Sequence, residues 1–273
     1  MKSGNVKFNT MFWVLLFITG FVFFCGCGEK VVETKTYDMN QKADLSETDW
    51  TITNAETSAV LKAKSDYNPD IVATPGNQYV KVLCDVVSKK GDIYLYGNYH
   101  LFIKAKNADG TTVTDEPIKN SDYYSDEGTS IIKSGKNAAF KIEEVFAVPR
   151  EAKDLTLIIE KKPFEEVEAR AAVNLITTKD TSASIIPEME AFLAGLDGTG
   201  GTVGKLLKKY GTPGLDAKDM DLYNLKDGQI VKIYQVKDRV AYKVNIKSGL
   251  TTRSYKLHWL GGKIVAVEFL GLL

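Results

Sequence analysis

One glycine-rich run comes close to the spacing of a phosphate-binding loop. From Gly198 to Lys205 it is Gly-Thr-Gly-Gly-Thr-Val-Gly-Lys. Such a loop needs a glycine five residues before the last glycine, and a serine or threonine after the lysine to hold Mg²⁺. Thr199 and Leu206 occupy those two positions. The sequence therefore predicts a turn between two helices here rather than a nucleotide site.

The other residue types that could catalyse a reaction or bind a metal lack partners at the required spacing. Asp216, Asp219 and Asp221 do not follow the calcium-loop pattern, so we predict a solvated turn. Neither His100 nor His258 has a histidine or cysteine at zinc-ligand spacing. No nucleophile elbow or Ser-His-Asp neighbourhood occurs in the sequence. We expect no catalytic residue, no cofactor and no metal.

The N-terminal segment has the composition of an export signal. It carries Lys2 and Lys7, contains no acid, and continues into an apolar run from Met11 to Phe24. A basic start, a short apolar run and small residues at the end are typical of secretory signals. The run is also shorter than the roughly 20 residues that cross a bilayer comfortably. We therefore predict that residues 1–26 are a signal peptide.

The end of this segment, Phe24-Cys25-Gly26-Cys27, resembles the lipobox of bacterial lipoproteins. In that family the chain is cut before the cysteine, which then carries the lipid. The resemblance implies that Cys27 is the lipidated N-terminus, with palmitate among its acyl chains. The three residues before Cys27 depart from the usual Leu-Ala/Ser-Gly/Ala. A transmembrane anchor and full secretion are the alternatives, and the first of these also tethers the folded part at the extracytoplasmic face of the cell membrane.

The chain as a whole has balanced charge and enough apolar residues for packed cores. Lys and Arg number 35, as do Asp and Glu, and 44% of residues are hydrophobic. This balance argues against a nucleic-acid partner, which would favour a basic face. The length of 273 residues favours two domains. Cys84, the one cysteine left in the mature chain, alternates with Val82 and Val86, which predicts a buried core thiol.

Tyrosines supply the candidate recognition residues. Tyr94 and Tyr96 fall in an aromatic strand segment, and Tyr123 and Tyr124 fall in a polar loop over 115–128. Tyrosines of a sheet are usually half-buried packing residues. Tyrosine is also favoured in protein-binding hot spots. Both interpretations stay open, and these four residues are the candidates for partner binding.

Turn-forming residues divide the chain that follows the signal peptide into four segments. Residues 27–46 are predicted to be a flexible tether and 47–162 an immunoglobulin-like β-sandwich. Residues 163–184 are predicted to be a linker and 185–273 a smaller α+β domain. The predicted fold class is mostly β. Asn68-Pro69 and Asp109-Gly110 separate short alternating strands in the second segment, as is typical of sandwiches. Within the linker, the apolar stretch 171–176 is a candidate strand of either domain.

Three short sequence motifs occur one after another within 47–162. They are Pro-Gly-x-x-Tyr-Val-x-Val from Pro75, Ala-Asp-Gly ending at Gly110, and Val-Phe-x-Val-Pro ending at Pro149. The order resembles the telokin-like immunoglobulin-fold domain of many bacterial lipoproteins, a family with no assigned chemistry. The resemblance implies that the turn Gly135-Lys136 and the strand end at Val148-Pro149 build the fold rather than a site.

The last segment predicts two amphipathic helices followed by an antiparallel meander of four or five strands. Apolar residues recur at helical spacing from Met189 to Leu196 and again from Val203 to Tyr210. The last strand is predicted to have Val265, Val267 and Phe269 on one face. An antiparallel sheet with one wet face needs a cover for its apolar face, and the two helices are expected to provide it.

The order of helices and strands, with Lys-Tyr-Gly-Thr-Pro at 209–213 and Gly-Gly-Lys-Ile-Val at 261–265, resembles small periplasmic lipoprotein modules that assist outer-membrane assembly. The sequence as a whole predicts a non-enzymatic lipoprotein of the bacterial cell envelope that binds another envelope protein, with the C-terminal domain as the binding part. The alternatives are an envelope-assembly or chaperone-like lipoprotein and an extracytoplasmic enzyme whose site is assembled from distant residues.

Overall fold

The computed structural model describes residues 32–63, 68–93, 95–116, 135–180, 185–196, 200–215, 229–235 and 241–273. The strands in these ranges are β1 Thr34–Asp38, β2 Lys42–Asp44, β3 Thr48–Ser58, β4 Val60–Leu61, β5 Asp70–Val72, β6 Asn77–Ser88, β7 Tyr99–Lys106, β8 Thr112–Asp115, β9 Ala139–Pro149, β10 Lys153–Lys161, β11 Ala169–Asn174, β12 Thr178–Lys179, β13 Gln229–Gln235, β14 Ala241–Ser248, β15 Thr251–Leu260 and β16 Lys263–Leu272. The helices are α1 Leu95–Asn98, α2 Pro187–Ala194 and α3 Gly200–Tyr210.

Two sheets pack face to face over one hydrophobic core. The first has the order β1-β11-β10-β7-β8, and the second has the order β12-β3-β6-β9 with β2 beside β3. Trp50 and Val82 of the second sheet and Ile103 and Leu157 of the first belong to one buried cluster. Two sheets whose inner faces share a core form a β-sandwich, so the predicted mostly β sandwich is confirmed. Cys84 is buried in this core, as its alternation with valines predicted.

A buried polar bridge joins the two sheets at the large aromatic residues. Trp50 Nε1 donates a hydrogen bond of 2.8 Å to Thr48 Oγ1, and this hydroxyl donates one of 3.0 Å to the hydroxyl of Tyr99. The ring centroids of Trp50 and Tyr99 lie 5.6 Å apart. Because buried polar groups are costly unless they are paired, the bridge lets two large aromatic residues enter the core.

Strands occur in both segments that we expected to be tether and linker. β1 and β2 lie within 27–46, and β11 and β12 lie within 163–184. β1 pairs in parallel with β11, which overlaps the candidate strand 171–176 at residues 171–174. β1 is exposed along most of its length. Its polar composition is therefore that of an edge strand and not of a free tether.

The C-terminal part folds as two helices on an antiparallel meander, which confirms this part of the prediction. β13 to β16 pair in chain order. α2 begins at Pro187, where a missing N–H costs nothing. The ring of Phe192 on α2 lies 6.0 Å from that of Trp259 on β15, and the ring of Tyr210 on α3 lies 6.3 Å from the same indole. The helices thus cover the apolar face of the meander.

Two short strands of the sandwich segment extend this third sheet. β5 pairs with β13 and β4 pairs with β5, which gives the order β16-β15-β14-β13-β5-β4. A small core of Leu61, Ile71, Tyr79 and Val145 lies where the third sheet meets the sandwich. The hydroxyl of Tyr79 donates to the carbonyl of Val72 at 3.3 Å. Residues 34–273 accordingly form one compact unit.

Candidate interaction surface

The residues proposed from the sequence for binding lie outside what the structure describes. Cys27, Tyr94, Tyr123 and Tyr124 are outside the described ranges, and only the backbone of Tyr96 is described, within α1. Lipidation of Cys27 and partner binding by the four tyrosines therefore stay predictions.

Chemically active side chains in the described ranges are dispersed. No group of three or more His, Cys, Asp or Glu residues in those ranges is arranged to hold a metal ion. His100 lies on β7 of the sandwich and His258 on β15 of the third sheet. Burial raises the pKa of the Cys84 thiol, so the thiol stays neutral at physiological pH.

Two open clefts flank the junction between sandwich and third sheet. One, of about 210 Å³, has a charged lining that includes Glu56, Lys81, Glu143 and Asp180. The other, of about 280 Å³, has a mixed lining that includes Tyr79, Asn77, Lys232 and several apolar side chains. Lys81 Nζ lies 3.0 Å from Glu56 Oε2. The hydrogen bond from Lys81, with a second from Asn54, holds the pKa of Glu56 below its ordinary value. This pair is mutually neutralised, which favours a structural role over general acid–base work.

β16 is an exposed and largely apolar strand at the free edge of the third sheet. Phe269, Leu272 and Leu273 are 44%, 65% and 69% exposed, and Val265 and Leu270 are also exposed. β16 is the last strand of the sheet order, so one side of its backbone faces no strand of the described chain. Exposed apolar side chains grouped on one strand make it a candidate interaction site, since exposed apolar surface marks such sites in soluble proteins. We call these five residues the β16 surface.

Two bulges explain why the sequence did not reveal this surface. The register between β15 and β16 shifts at two places, and neither Val265 nor Leu270 has a partner on β15. Val267 and Phe269 do share one face, opposite Leu257 and Tyr255, but the predicted third member, Val265, is displaced. A bulge adds one residue and breaks the alternation of a strand. The one property of this surface that can be seen in the sequence is that the strand has a single cationic and a single anionic residue.

The two charges of β16 point away from its free edge. Lys263 Nζ donates to the carbonyl of Lys209 at the end of α3, at 2.7 Å. Glu268 Oε2 lies 3.8 Å from His258 Nε2 on β15. The long edge strand of the sandwich, β9, instead carries Lys141 and ends in Pro149. Charges and proline are the usual protection of an edge against pairing, so the β16 edge is the less protected of the two.

Comparisons with known proteins give remote similarity in structure alone. No family model matches the chain, and no curated protein matches it. An uncharacterised β-sandwich protein from Clostridium difficile 630 is 18% identical, covers 55% of this chain and 99% of its own, and has a TM-score of 0.34. The secreted protein MPT63 from Mycobacterium tuberculosis is 12% identical, with 52% and 98% covered and a TM-score of 0.35. A candidate lipoprotein from Staphylococcus aureus is 11% identical, with 52% and 99% covered and a TM-score of 0.31.

Within the described ranges, the helices are too short or too polar to cross a bilayer.

Proposed function

We propose that this chain is a non-enzymatic lipoprotein of the cell envelope that binds another envelope protein through the β16 surface. In this account Cys27 carries the lipid at the extracytoplasmic face. The sandwich, as a telokin-like immunoglobulin-fold domain, acts as the spacer. The observation that carries the proposal is the exposed, bulged and nearly uncharged β16 at a free sheet edge.

The position of β16 at the edge of its sheet determines how a partner would bind to it. A strand of a partner that aligns with β16 pairs with its free backbone groups, while alternate side chains give specificity, as in β-strand addition. Phe269 is held in place by the ring of Tyr255, whose centroid lies 5.4 Å away. A fixed aromatic side chain loses little entropy on binding and suits a central anchor. Leu272 extends the apolar surface beside it.

An envelope-assembly or chaperone-like role would use the same surface. Backbone pairing is largely independent of side-chain sequence, so β16 also suits extended segments of several client proteins. The two functions differ in the number of partners. A single partner captured at β16 favours the binding protein, and many unfolded partners favour the chaperone.

Photocrosslinking in intact cells tests the proposal. A photoreactive residue replaces Leu272 in the full-length protein, and a matched chain carries it at Leu250, which is fully exposed in the turn between β14 and β15. We expect a covalent adduct with an envelope protein from position 272 and none from position 250. Mass spectrometry of the same samples identifies the N-terminus, where we expect lipidated Cys27. Equal adducts from both positions would contradict the β16 surface, and an N-terminus at Met1 would contradict the lipid anchor.

A further inference from the structure

A surface loop carries an exposed phenylalanine at one end of the sandwich. The loop spans 162–168 and connects β10, which ends at Lys161, with β11, which begins at Ala169. Phe164 in this loop is 89% exposed. A single exposed apolar side chain needs no explanation by itself. The structure of the loop and its place in the chain give this one a function.

Hydrogen bonds and ion pairs close the loop at its base. The backbone N–H of Glu168 donates to the carbonyl of Lys161 at 2.8 Å, and the N–H of Lys162 donates to the carbonyl of Asn98 at 2.6 Å. The side chain of Lys161 is only 8% exposed, and its Nζ lies 2.6 Å from Glu168 Oε2 and 3.4 Å from Glu47 Oε1. The two ends of the loop are therefore held together, and the exposed ring of Phe164 belongs to a closed loop.

The chain from the proposed lipid anchor enters the sandwich at this same end. β1 pairs in parallel with β11, and Thr34 at the start of β1 is the partner of Arg170. Paired strands lie about 4.8 Å apart and six residues reach at most about 22 Å, so Phe164 lies within about 27 Å of Thr34. From Cys27 to Thr34, seven residues reach at most about 25 Å. Phe164 is therefore within reach of the membrane in which the lipid is inserted.

The opposite end of the same sheet provides a contrast. β1 ends at Asp38, whose partner is Asn174 at the end of β11. Ile176 follows two residues later and is 76% exposed. Exposed apolar side chains thus occur at both ends of the sheet, whereas the chain from Cys27 enters at the end that carries Phe164.

We infer that Phe164 inserts into the interface of the lipid bilayer that holds the anchor. The inference rests on the proposed lipidation of Cys27. Phenylalanine is among the side chains that enter the boundary between headgroups and acyl chains. Glu165 and Glu166 beside it are exposed, and their charge opposes an anionic surface, so the contact is apolar and not electrostatic.

The lipid makes one inserted side chain sufficient. A group that is already tethered to the membrane has a high effective concentration there, so a weak second contact is largely occupied. The lipid alone leaves the orientation of the sandwich free. The lipid and Phe164 together hold the end of the sandwich at which β1 begins against the membrane.

Fluorescence quenching by brominated lipid tests the inference. Full-length lipidated Phe164→Trp and the matched control Ile176→Trp are reconstituted in phosphatidylcholine vesicles with plain or brominated acyl chains. Trp50 and Trp259 are buried and Trp13 lies in the predicted signal peptide, so the parent protein gives the background. We expect brominated chains to quench the added indole of Phe164→Trp about twofold, because it lies at the acyl boundary, and to leave that of Ile176→Trp unchanged. The quenching should persist at high salt, since salt screens only charge interactions.

Flotation of both variants with the vesicles reports the anchor separately. Equal quenching of the two added indoles, or quenching of neither, in protein that floats would overturn the insertion while leaving the anchor in place. A photoreactive residue at position 164 that gives a protein adduct and no lipid adduct in intact cells would also overturn it, because the loop would then contact a protein. Failure to float would overturn the anchor and the insertion together.

Discussion

Single residues hold the sandwich together where polar groups enter its core. The hydroxyl of Thr48 is both the acceptor for Trp50 and the donor to Tyr99, so one small side chain satisfies two aromatic residues on facing sheets. Tyr99 belongs to the same aromatic segment as the proposed recognition residues Tyr94 and Tyr96, yet it is a core residue. The predicted aromatic strand therefore begins only at Tyr99, which serves packing, whereas Tyr96 lies in helix α1.

Removing the hydroxyl of Tyr99 should destabilise the protein. Tyr99→Phe leaves the ring in place but takes away the acceptor for the Thr48 hydroxyl, and we expect the free energy of unfolding to fall by about 1 kcal/mol. Urea denaturation measures the change. Tyr37→Phe, at the margin of the same core, is the matched control and should change the free energy by less than about 0.5 kcal/mol. Equal effects of the two substitutions would show that the bridge is energetically unimportant.

The ion pair of Glu56 and Lys81 should make stability depend on acid pH. The pKa of Glu56 is lowered by the hydrogen bonds from Lys81 and Asn54, so the folded state favours the ionised carboxylate. This contribution is complete above the unfolded pKa of about 4.3 and is lost as the pH falls through the lower folded pKa. Glu56→Gln should therefore lose less stability than the parent between pH 6 and acid pH in urea titrations. The exposed Glu151→Gln is the control, and an identical acid loss in both variants would refute the assignment.

At the scale of elements, the sequence predicted those parts whose pattern is local. Helices α2 and α3 follow from the regular apolar spacing of Met189 to Leu196 and Val203 to Tyr210, and the hairpin strands follow from alternation. The edge strand β1 was missed because an exposed edge has the polar composition of a loop. β4 and β5 were not expected in the third sheet because β13, the strand that pairs with β5, lies far away in the sequence. The bulges of β16 break the two-residue period on which strand prediction depends.

The turn between β15 and β16 should depend on glycine. Gly261 and Gly262 have φ of 57° and 76°, a region that L residues rarely adopt. A Cβ on Gly262 would also lie 3.3 Å from Glu188 Oε1 on α2. We expect Gly262→Ala to lower the free energy of unfolding by about 1–2 kcal/mol. Gly204→Ala, inside α3 with open space around the added Cβ, should raise it by about 0.5–1 kcal/mol. Both changes are read by thermal or urea unfolding, and the same sign for both would contradict this account.

At the scale of the whole molecule, the third sheet carries the surface proposed to bind a partner. Its helix-covered face holds the second core, its opposite face packs Tyr234 against the small core at the sandwich, and its edge is β16. Strands β4 and β5 and the small core around Tyr79 connect this sheet to the sandwich. Tyr123 and Tyr124 of the loop predicted over 115–128 lie outside the described ranges, and their role stays a prediction.

The most direct test of the central claim is quantitative partner capture with β16 variants. Tagged full-length protein is crosslinked in intact cells, and the captured envelope protein is measured for the parent, for Phe269→Glu combined with Leu272→Glu, and for Leu250→Glu as the exposed-leucine control. Charges on an edge prevent strand pairing. The account predicts at least about tenfold less capture for the double variant, since two apolar side chains that the partner would cover become charged, and no change for the control. Unchanged capture by the folded double variant would contradict the claim that β16 binds the partner.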